Sequence, residues 1–301
     1  MATNRSRMSD RTFVLLLIAP ASLFFLIFVV YPVGLLIFQS FQKVSMLAPD
    51  KGTFVGLANY GQALTSPTVL NSAWLTLLYT VVTLSAEFLL GLAAALLFNT
   101  LGSRSVVART IFLFPLMVAP IVAGLLWKFM LASSFGIVNW ALSAIGIISS
   151  PSDIPWLSNP NTALYSVTLP DIWLTTCFIS LVLYTGLQDI PGEVIEAAKI
   201  DGANALQQFW RITLPLLRPV IAVALIIRGL DAARTFDAIW IMTQGGPQHG
   251  SEVLSLYVYL DMIRYGRLGE AAAAATLFLI ALMILSMSAY FLIWRPGASQ
   301  K

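Results

Sequence analysis

The chain predicts an all-α integral membrane protein with six transmembrane helices, and three observations carry that expectation. Of its 301 residues, 58% are hydrophobic and only 10% charged, where an ordinary soluble domain carries about 25% charged residues. Mean hydropathy is +0.84. Six apolar runs each reach the ~20 residues that a helix needs to cross a bilayer at ~1.5 Å rise per residue. They extend from Thr12 to Phe41, Ser72 to Asn99, Val107 to Leu131, Ala163 to Leu187, Val220 to Thr243, and Gly269 to Trp294.

The first run follows Arg5, Arg7 and Arg11. It is about twice as long as the apolar core of a secretory signal, and no small-residue cleavage site follows it, so it reads as a retained first span. Lys and Arg orient the rest. With the N-terminus cytoplasmic, the inner segments hold Arg5, Arg7, Arg11, Arg104, Arg109, Lys199, Arg211, Arg218, Arg295 and Lys301. The outer segments then hold only Lys43, Lys51, Arg264 and Arg267. An even number of spans returns the C-terminus to the cytoplasm. Pro20, Pro32, Pro115, Pro120 and Pro170 fall inside the apolar runs. Each removes a helical hydrogen bond and predicts a kink, either as packing irregularity or as a point of flexing.

Composition also excludes chemistry. One cysteine, Cys177, allows no internal disulfide, and with a single histidine, His249, it makes a Cys/His metal site or a Cys-His catalytic pair a poor expectation. The net charge of +3 comes from scattered residues and is no nucleic-acid footprint. No G-x-x-x-x-G-K-[ST] phosphate loop occurs, so the chain is not expected to hydrolyse ATP itself.

Between the fourth and fifth runs lies a polar, helix-forming stretch, residues 188–218, placed on the cytoplasmic side by the charge rule. Its centre reads EAAKIDGANALQQFWRITLP, from Glu196 to Pro215. Pro191 suits a first helical position, and Glu193 and Glu196 favour the positive N-terminal end of a helix. Asp201-Gly202 supplies a break. A second helix is expected over about 203–211, with Pro215 ending the loop. Ala197, Ala198 and Ala203 would leave a low-relief surface, flanked by apolar Val194, Ile195 and Phe209 and by the charge of Glu196.

Ionisable residues at membrane depth are costly and face a cavity or a partner. The fifth run carries Arg228, Asp231, Arg234 and Asp237, alternating in sign at every third residue. Neighbours can pair along one helix, but steps of three residues rotate about −60° each on a 3.6-residue helix, so the four trace a spiral and cannot all face one pore. Asp171 lies in the fourth run, and Glu87 lies in the second without an evident partner.

The 196–215 stretch resembles the EAA loop of ABC-importer permeases, with Glu196, Ala197, Ala198, Asp201, Gly202, Ala203, Phe209, Ile212, Leu214 and Pro215 matching its pattern. DIWLTTCF at Asp171–Phe178, the segment Arg228–Pro247 and FVGLANY at Phe54–Tyr60 are similar to the carbohydrate branch, the maltose, trehalose and glycerol-phosphate permease subunits. The resemblance implies a type I importer permease fold, with residues 1–11 as a cytoplasmic tail and 12–301 as one six-span domain. It implies that the loop 188–218 docks on two separate ATP-binding subunits, which hold the ATP and Mg; this chain itself would bind no cofactor. A second homologous permease, an extracytoplasmic solute-binding protein and a carbohydrate substrate complete the implied partners in a prokaryotic inner membrane.

By the same resemblance, the substrate-contacting positions are Asp171, Leu174, Thr175, Phe178, Arg228, Asp231, Ala232 and Thr235, with Trp173 as a further stacking candidate. Charges and Ala232 stand where the maltose permease has neutral amides, so maltose fits poorly. Polyols, trehalose, other α-glucosides and an anionic sugar attracted by Arg228 and Arg234 stay open. Two other functions compete: an importer permease for a non-carbohydrate solute, and an ion-coupled carrier relaying protons through Glu87, Asp171 and Asp231. The carrier leaves the EAA-like loop unexplained.

Overall fold

The computed structural model describes residues 10–102 and 106–293. The N-terminal tail through residue 9, Arg104, and the end of the sixth run with Trp294, Arg295 and Lys301 lie outside the described residues. Contacts divide the chain into two compact units, one made of 1–64 and 258–277, the other of 65–257 and 278–301.

In the first unit, α1 (Asp10–Phe25) passes through a π-helical turn at Leu26–Val30 into α2 (Tyr31–Ser40). Pro20 lies inside α1 and Pro32 in the first turn of α2, so the first span is irregular at its prolines. Side chains from Val14 through Val30 are exposed, as suits a helix solvated by lipid. A two-stranded antiparallel hairpin follows, β1 (Gln42–Ser45) and β2 (Ala48–Phe54), which the all-α expectation did not contain. α3 (Ala58–Thr65) comes next. Asn59 Nδ2 donates to the carbonyls of Ser40 and Gln42, each at 2.9 Å, and Tyr60 Oη lies 2.5 Å from Ser40 Oγ. The FVGLANY phrase thus ties the hairpin to the end of the first span.

The second unit is built on α4 (Pro67–Leu101). α5 (Val106–Phe112) continues through a 3₁₀ turn at Phe114–Met117 to α6 (Pro120–Met130). α7 (Ile137–Ala144) is a short loop helix, and α8 (Pro160–Gln188) carries Pro170 inside it. α9 (Gly192–Ile200) and α10 (Ala205–Gln208) form the polar loop. A π-helical turn, Phe209–Thr213, then leads into α11 (Leu214–Ala233), and α12 (Asp237–Met242) follows a break. α13 (Leu254–Tyr259) straddles the boundary in sequence between the units, as does α14 (Leu268–Ile293).

Among the described residues, five helical runs are long and apolar enough to cross a membrane: Val14–Ser40, Pro67–Leu101, Pro160–Gln188, Ala205–Met242 and Leu268–Ser288. The third expected span is instead a pair, Val106–Met117 and Pro120–Met130, bent by 95°; counted as one, it makes a sixth. Pro115 and Pro120 account for the bend. Ala119, preceding Pro120, is extended (ψ 138°), as a pre-proline residue prefers.

The core of this unit lies where α4, α8 and α11 meet, at Ala95, Ile179, Leu183, Leu187, Leu217 and Ala224. Helices in lipid gain little from mutual burial of apolar area, so close backbone approach through small residues matters more. Gly91 provides it: a Cβ there would stand 2.7 Å from Ile179. In the loop before α8, Trp156 Nε1 donates to the buried Asn139 Oδ1 at 2.5 Å. Asn139 in turn donates to the carbonyls of Pro151 and Ile154, so Trp156 braces a loop. Trp140 and Tyr165 are exposed.

Candidate functional site

Three helices deliver charge to one point. Glu87 comes from α4, Asp171 from α8, and Arg228 and Asp231 from α11. Arg228 Nε donates to Glu87 Oε2 at 2.9 Å and Nη2 to Glu87 Oε1 at 2.9 Å, a bidentate pair. Nη2 also lies 2.6 Å from Asp171 Oδ1, and Nη1 lies 2.9 Å from Asp231 Oδ2. Arg228 and Glu87 are 3% and 1% exposed. Thr175 Oγ1 donates to Glu87 Oε1, and Tyr79 Oη donates to Asp171 Oδ2 at 3.1 Å. Glu87, to which sequence reasoning could assign no partner, is therefore the deepest member of the cluster. Its partner stands 141 positions away along the chain, a relation that no local spacing reveals.

Beside this cluster opens a cavity of about 360 Å³, lined by charged Asp171, Arg228, Asp231, Arg234 and Asp237, with Leu174, Thr235 and Phe236 among its other walls. All four alternating charges of the fifth run reach it, against the expectation that they would spiral apart. The reason is the helix break. α11 stops at Ala233, the backbone at Phe236 is non-helical (φ −143°), and α12 restarts at Asp237. Irregular backbone at membrane depth persists where it lines a wet cavity.

The expected substrate positions divide. Asp171, Leu174, Arg228, Asp231 and Thr235 line the cavity. Four others do not. Ala232 is fully buried. Phe178 packs against the helix core. Thr175 is spent on Glu87 and the Asp171 carbonyl. Trp173 is exposed on another face of α8. A helix presents only part of its circumference to one cavity, so a contiguous phrase such as DIWLTTCF cannot all face it. Sequence reasoning missed Phe236 and Asp237 as wall residues; the signal for them was the break, which an uninterrupted apolar run conceals.

The 188–218 loop follows its expected punctuation in part. α9 begins after Pro191, which stands at the N-cap and not at the first helical position. It ends at Asp201, where Gly202 takes φ +79°. Gly202 N–H bonds to Lys199 O at 3.1 Å and Ala203 N–H to Ala198 O at 2.9 Å, the paired closure of a Schellman motif. Asn204 then caps α10 in a reciprocal box with Gln207, a start signal sequence reasoning passed over. Two corrections follow. Ala198 is buried, so it belongs to the inward face of α9 and not to an exposed low-relief surface. Pro215 does not end the loop. It falls in the first turn of α11, where a missing N–H is harmless, and the π-helical turn before it closes with Leu214 N–H on Phe209 O. The helical path therefore runs from Ala205 to Ala233 without interruption. Glu196, Ala197, Asp201 and Gly202 are exposed; Ala203, Phe209, Ile212, Leu214 and Pro215 are half-buried. Exposed apolar Ile200, Leu206 and Trp210 flank them.

Residues 87–295, which contain both the cavity and this loop, match the family model of the binding-protein-dependent transport system inner membrane component. The chain belongs to that family. It is a multi-pass inner-membrane permease of the ABC importer class. The trehalose/maltose transport system permease protein MalF of Thermococcus litoralis is 38% identical to this permease over 267 residues, 88% of each chain. The sulfoquinovosyl glycerol transport system permease protein SmoG of Agrobacterium fabrum is 34% identical over 288 residues, 96% of this permease and 92% of SmoG. Among solved structures, a bacterial alginate ABC transporter in complex with an alginate pentasaccharide-bound periplasmic protein holds a chain of the same fold, with TM-score 0.80 at 24% identity and 95% of both chains covered.

Proposed function

We propose that this permease passes a sugar or related polyol across the cytoplasmic membrane through the cavity at Asp171, Arg228, Asp231 and Thr235. The observation that carries the proposal is the continuous helical path from Ala205 to Ala233. One end belongs to the EAA-like loop, and the other bears Arg228 and Asp231 at the cavity wall. At ~1.5 Å per residue it is a lever roughly 40 Å long. A push on α9 and α10 from outside the membrane is thereby delivered to the groups that face the solute. The carbohydrate names borne by the MalF and SmoG relatives support the substrate class.

Glu196, Ala197, Asp201, Gly202 and Ala203, with the exposed apolar Ile200, Leu206 and Trp210, form the surface on which an ATP-binding subunit docks. ATP and Mg reside on two such subunits, and this chain binds no cofactor. A second homologous permease closes the pathway, and a binding protein delivers solute to the outer face. Both termini are cytoplasmic, which places the loop on the side where ATP is available. In the cycle, ATP draws the docked loops together and the lever opens the cavity outward; hydrolysis returns it and releases solute inward.

The test is ATPase activity of the reconstituted four-subunit complex with its binding protein, scanned across monosaccharides, disaccharides and polyols. Stimulation by one of them is expected and names the substrate. With the ATPase subunits bound and competent, a flat response to all of them would discard the carbohydrate reading.

A further inference from the structure

Arg228 has five N–H donors. Four of them are committed, Nε to Glu87, Nη2 to Glu87 and Asp171, and Nη1 to Asp231, and the side chain is 3% exposed. A guanidinium so enclosed does not present its charge to a solute. The other cation at the wall, Arg234, is 64% exposed; its Nε donates to the Leu230 carbonyl at 3.1 Å and its Nη2 lies 3.5 Å from Asp231 Oδ1. Against these stand the carboxylates of Asp171, Asp231 and Asp237 in the wall, with Asp231 61% exposed and Asp237 also exposed. Glu87, immediately behind Arg228, adds a fourth.

We propose that this cavity excludes anionic solutes and is built for an uncharged, hydroxyl-rich one, with Asp231 and Asp237 setting the preference. The proposal rests on the reading that the cavity holds the transported solute. An entering carboxylate, sulfate or phosphate would leave water for a wall where the exposed carboxylates of Asp231 and Asp237 outnumber the exposed guanidinium of Arg234, itself turned toward Asp231, so that its charge would meet a net negative surface. A hydroxyl loses nothing there: each exposed carboxylate oxygen accepts from it in a charge-assisted bond. Phe236, whose ring stacks on Trp240 at 6.0 Å and 11°, supplies an apolar face for the carbon skeleton.

The potential of the cavity can be read without transport. In the complete complex in membrane vesicles, Thr235→Cys is made in a Cys177→Ala background, which removes the native thiol. Uncharged and anionic methanethiosulfonates of similar size are then applied, and each rate is divided by that reagent's rate on a free thiol in solution. The anionic reagent is expected to be slower by about tenfold, as befits one net negative charge of the wall acting at short range. Combining Asp231→Asn with Asp237→Asn is expected to abolish most of that difference, and both positions are exposed enough to change without disturbing assembly. If the Thr235→Cys complex does not assemble, Phe236→Cys reports on the same wall. Equal normalised rates in the unmodified cavity would overturn the proposal, as would a difference that survives both substitutions. Neither ATP nor sugar enters this measurement, so it separates from the ATPase scan: a cavity that repels anions in a complex no sugar stimulates would sink the transport reading alone.

Discussion

Arg228 and Asp231 lie three residues apart on one helix, yet their replacement has different consequences. Arg228 is enclosed by carboxylates from three helices. Breaking a buried ion pair from one side costs about 3–5 kcal/mol, because the remaining charge stays buried without compensation. Arg228→Gln is therefore expected to lower the melting temperature of the purified complex and its yield, and not merely its transport rate. Asp231 is mostly exposed, so Asp231→Asn should assemble normally and lose uptake. Thermal melts of the complex beside uptake assays separate the two effects. A fully stable Arg228→Gln complex would show that the cluster contributes nothing to folding. The charges thus divide, with Arg228 of α11 and Glu87 of α4 holding helices together while Asp231 and Asp237 line the cavity.

Two glycines carry the argument among the helices. Gly202 turns the chain between α9 and α10 at φ +79°, which the fixed φ near −65° of proline cannot reach. Gly202→Pro is expected to collapse the reciprocal arrangement of the two loop helices and release the ATP-binding subunits; intact co-purification would argue against docking on this loop. Asn204→Ala removes one cap and should weaken the same association by about 1 kcal/mol. Gly91 acts by size instead. A side chain there meets Ile179 within 2.7 Å and the backbone nitrogen of Ser180 at 3.1 Å. Gly91→Val is expected to destabilise the α4–α8 packing by about 1–3 kcal/mol, measurable as a lower melting temperature with the loop and cavity residues untouched. The prolines divide in the same way: Pro115 and Pro120 accompany a 95° bend, while Pro170 is absorbed within α8.

For the whole permease, the lever makes a claim that no single residue does. If force on the loop reaches the cavity through the helical path from Ala205 to Ala233, a flexible joint in that path must uncouple hydrolysis from transport. Inserting two glycines between Thr213 and Leu214, where the π-helical turn meets α11, is expected to preserve subunit assembly and ATP hydrolysis while abolishing uptake. Uptake at the original rate would mean that coupling travels by another route. The family assignment spans residues 87–295, so both ends of this lever fall within the shared part of the chain, whereas the hairpin at 42–54 lies before it.

Composition and periodicity alone determined that the chain is a bundle of membrane helices, because the cost of unpaired backbone in lipid leaves a long apolar run few alternatives. The EAA-like phrase likewise identified the family, since its glycine and alanines stand at fixed spacings along one short loop. The break at Asp201-Gly202 was legible for the same reason: turn chemistry is local. Tertiary structure was needed for whatever joins distant parts of the chain. Glu87 found its partner only when α4 and α11 came together, and Phe236 and Asp237 became wall residues only because the fifth span breaks after Ala233. The third span proved bent although its prolines were visible, because a proline permits a kink without fixing its angle. Charge at the cavity was the least legible property. Whether Arg228 attracts an anion depends on how many carboxylates already enclose it, and that count is set by packing across three helices.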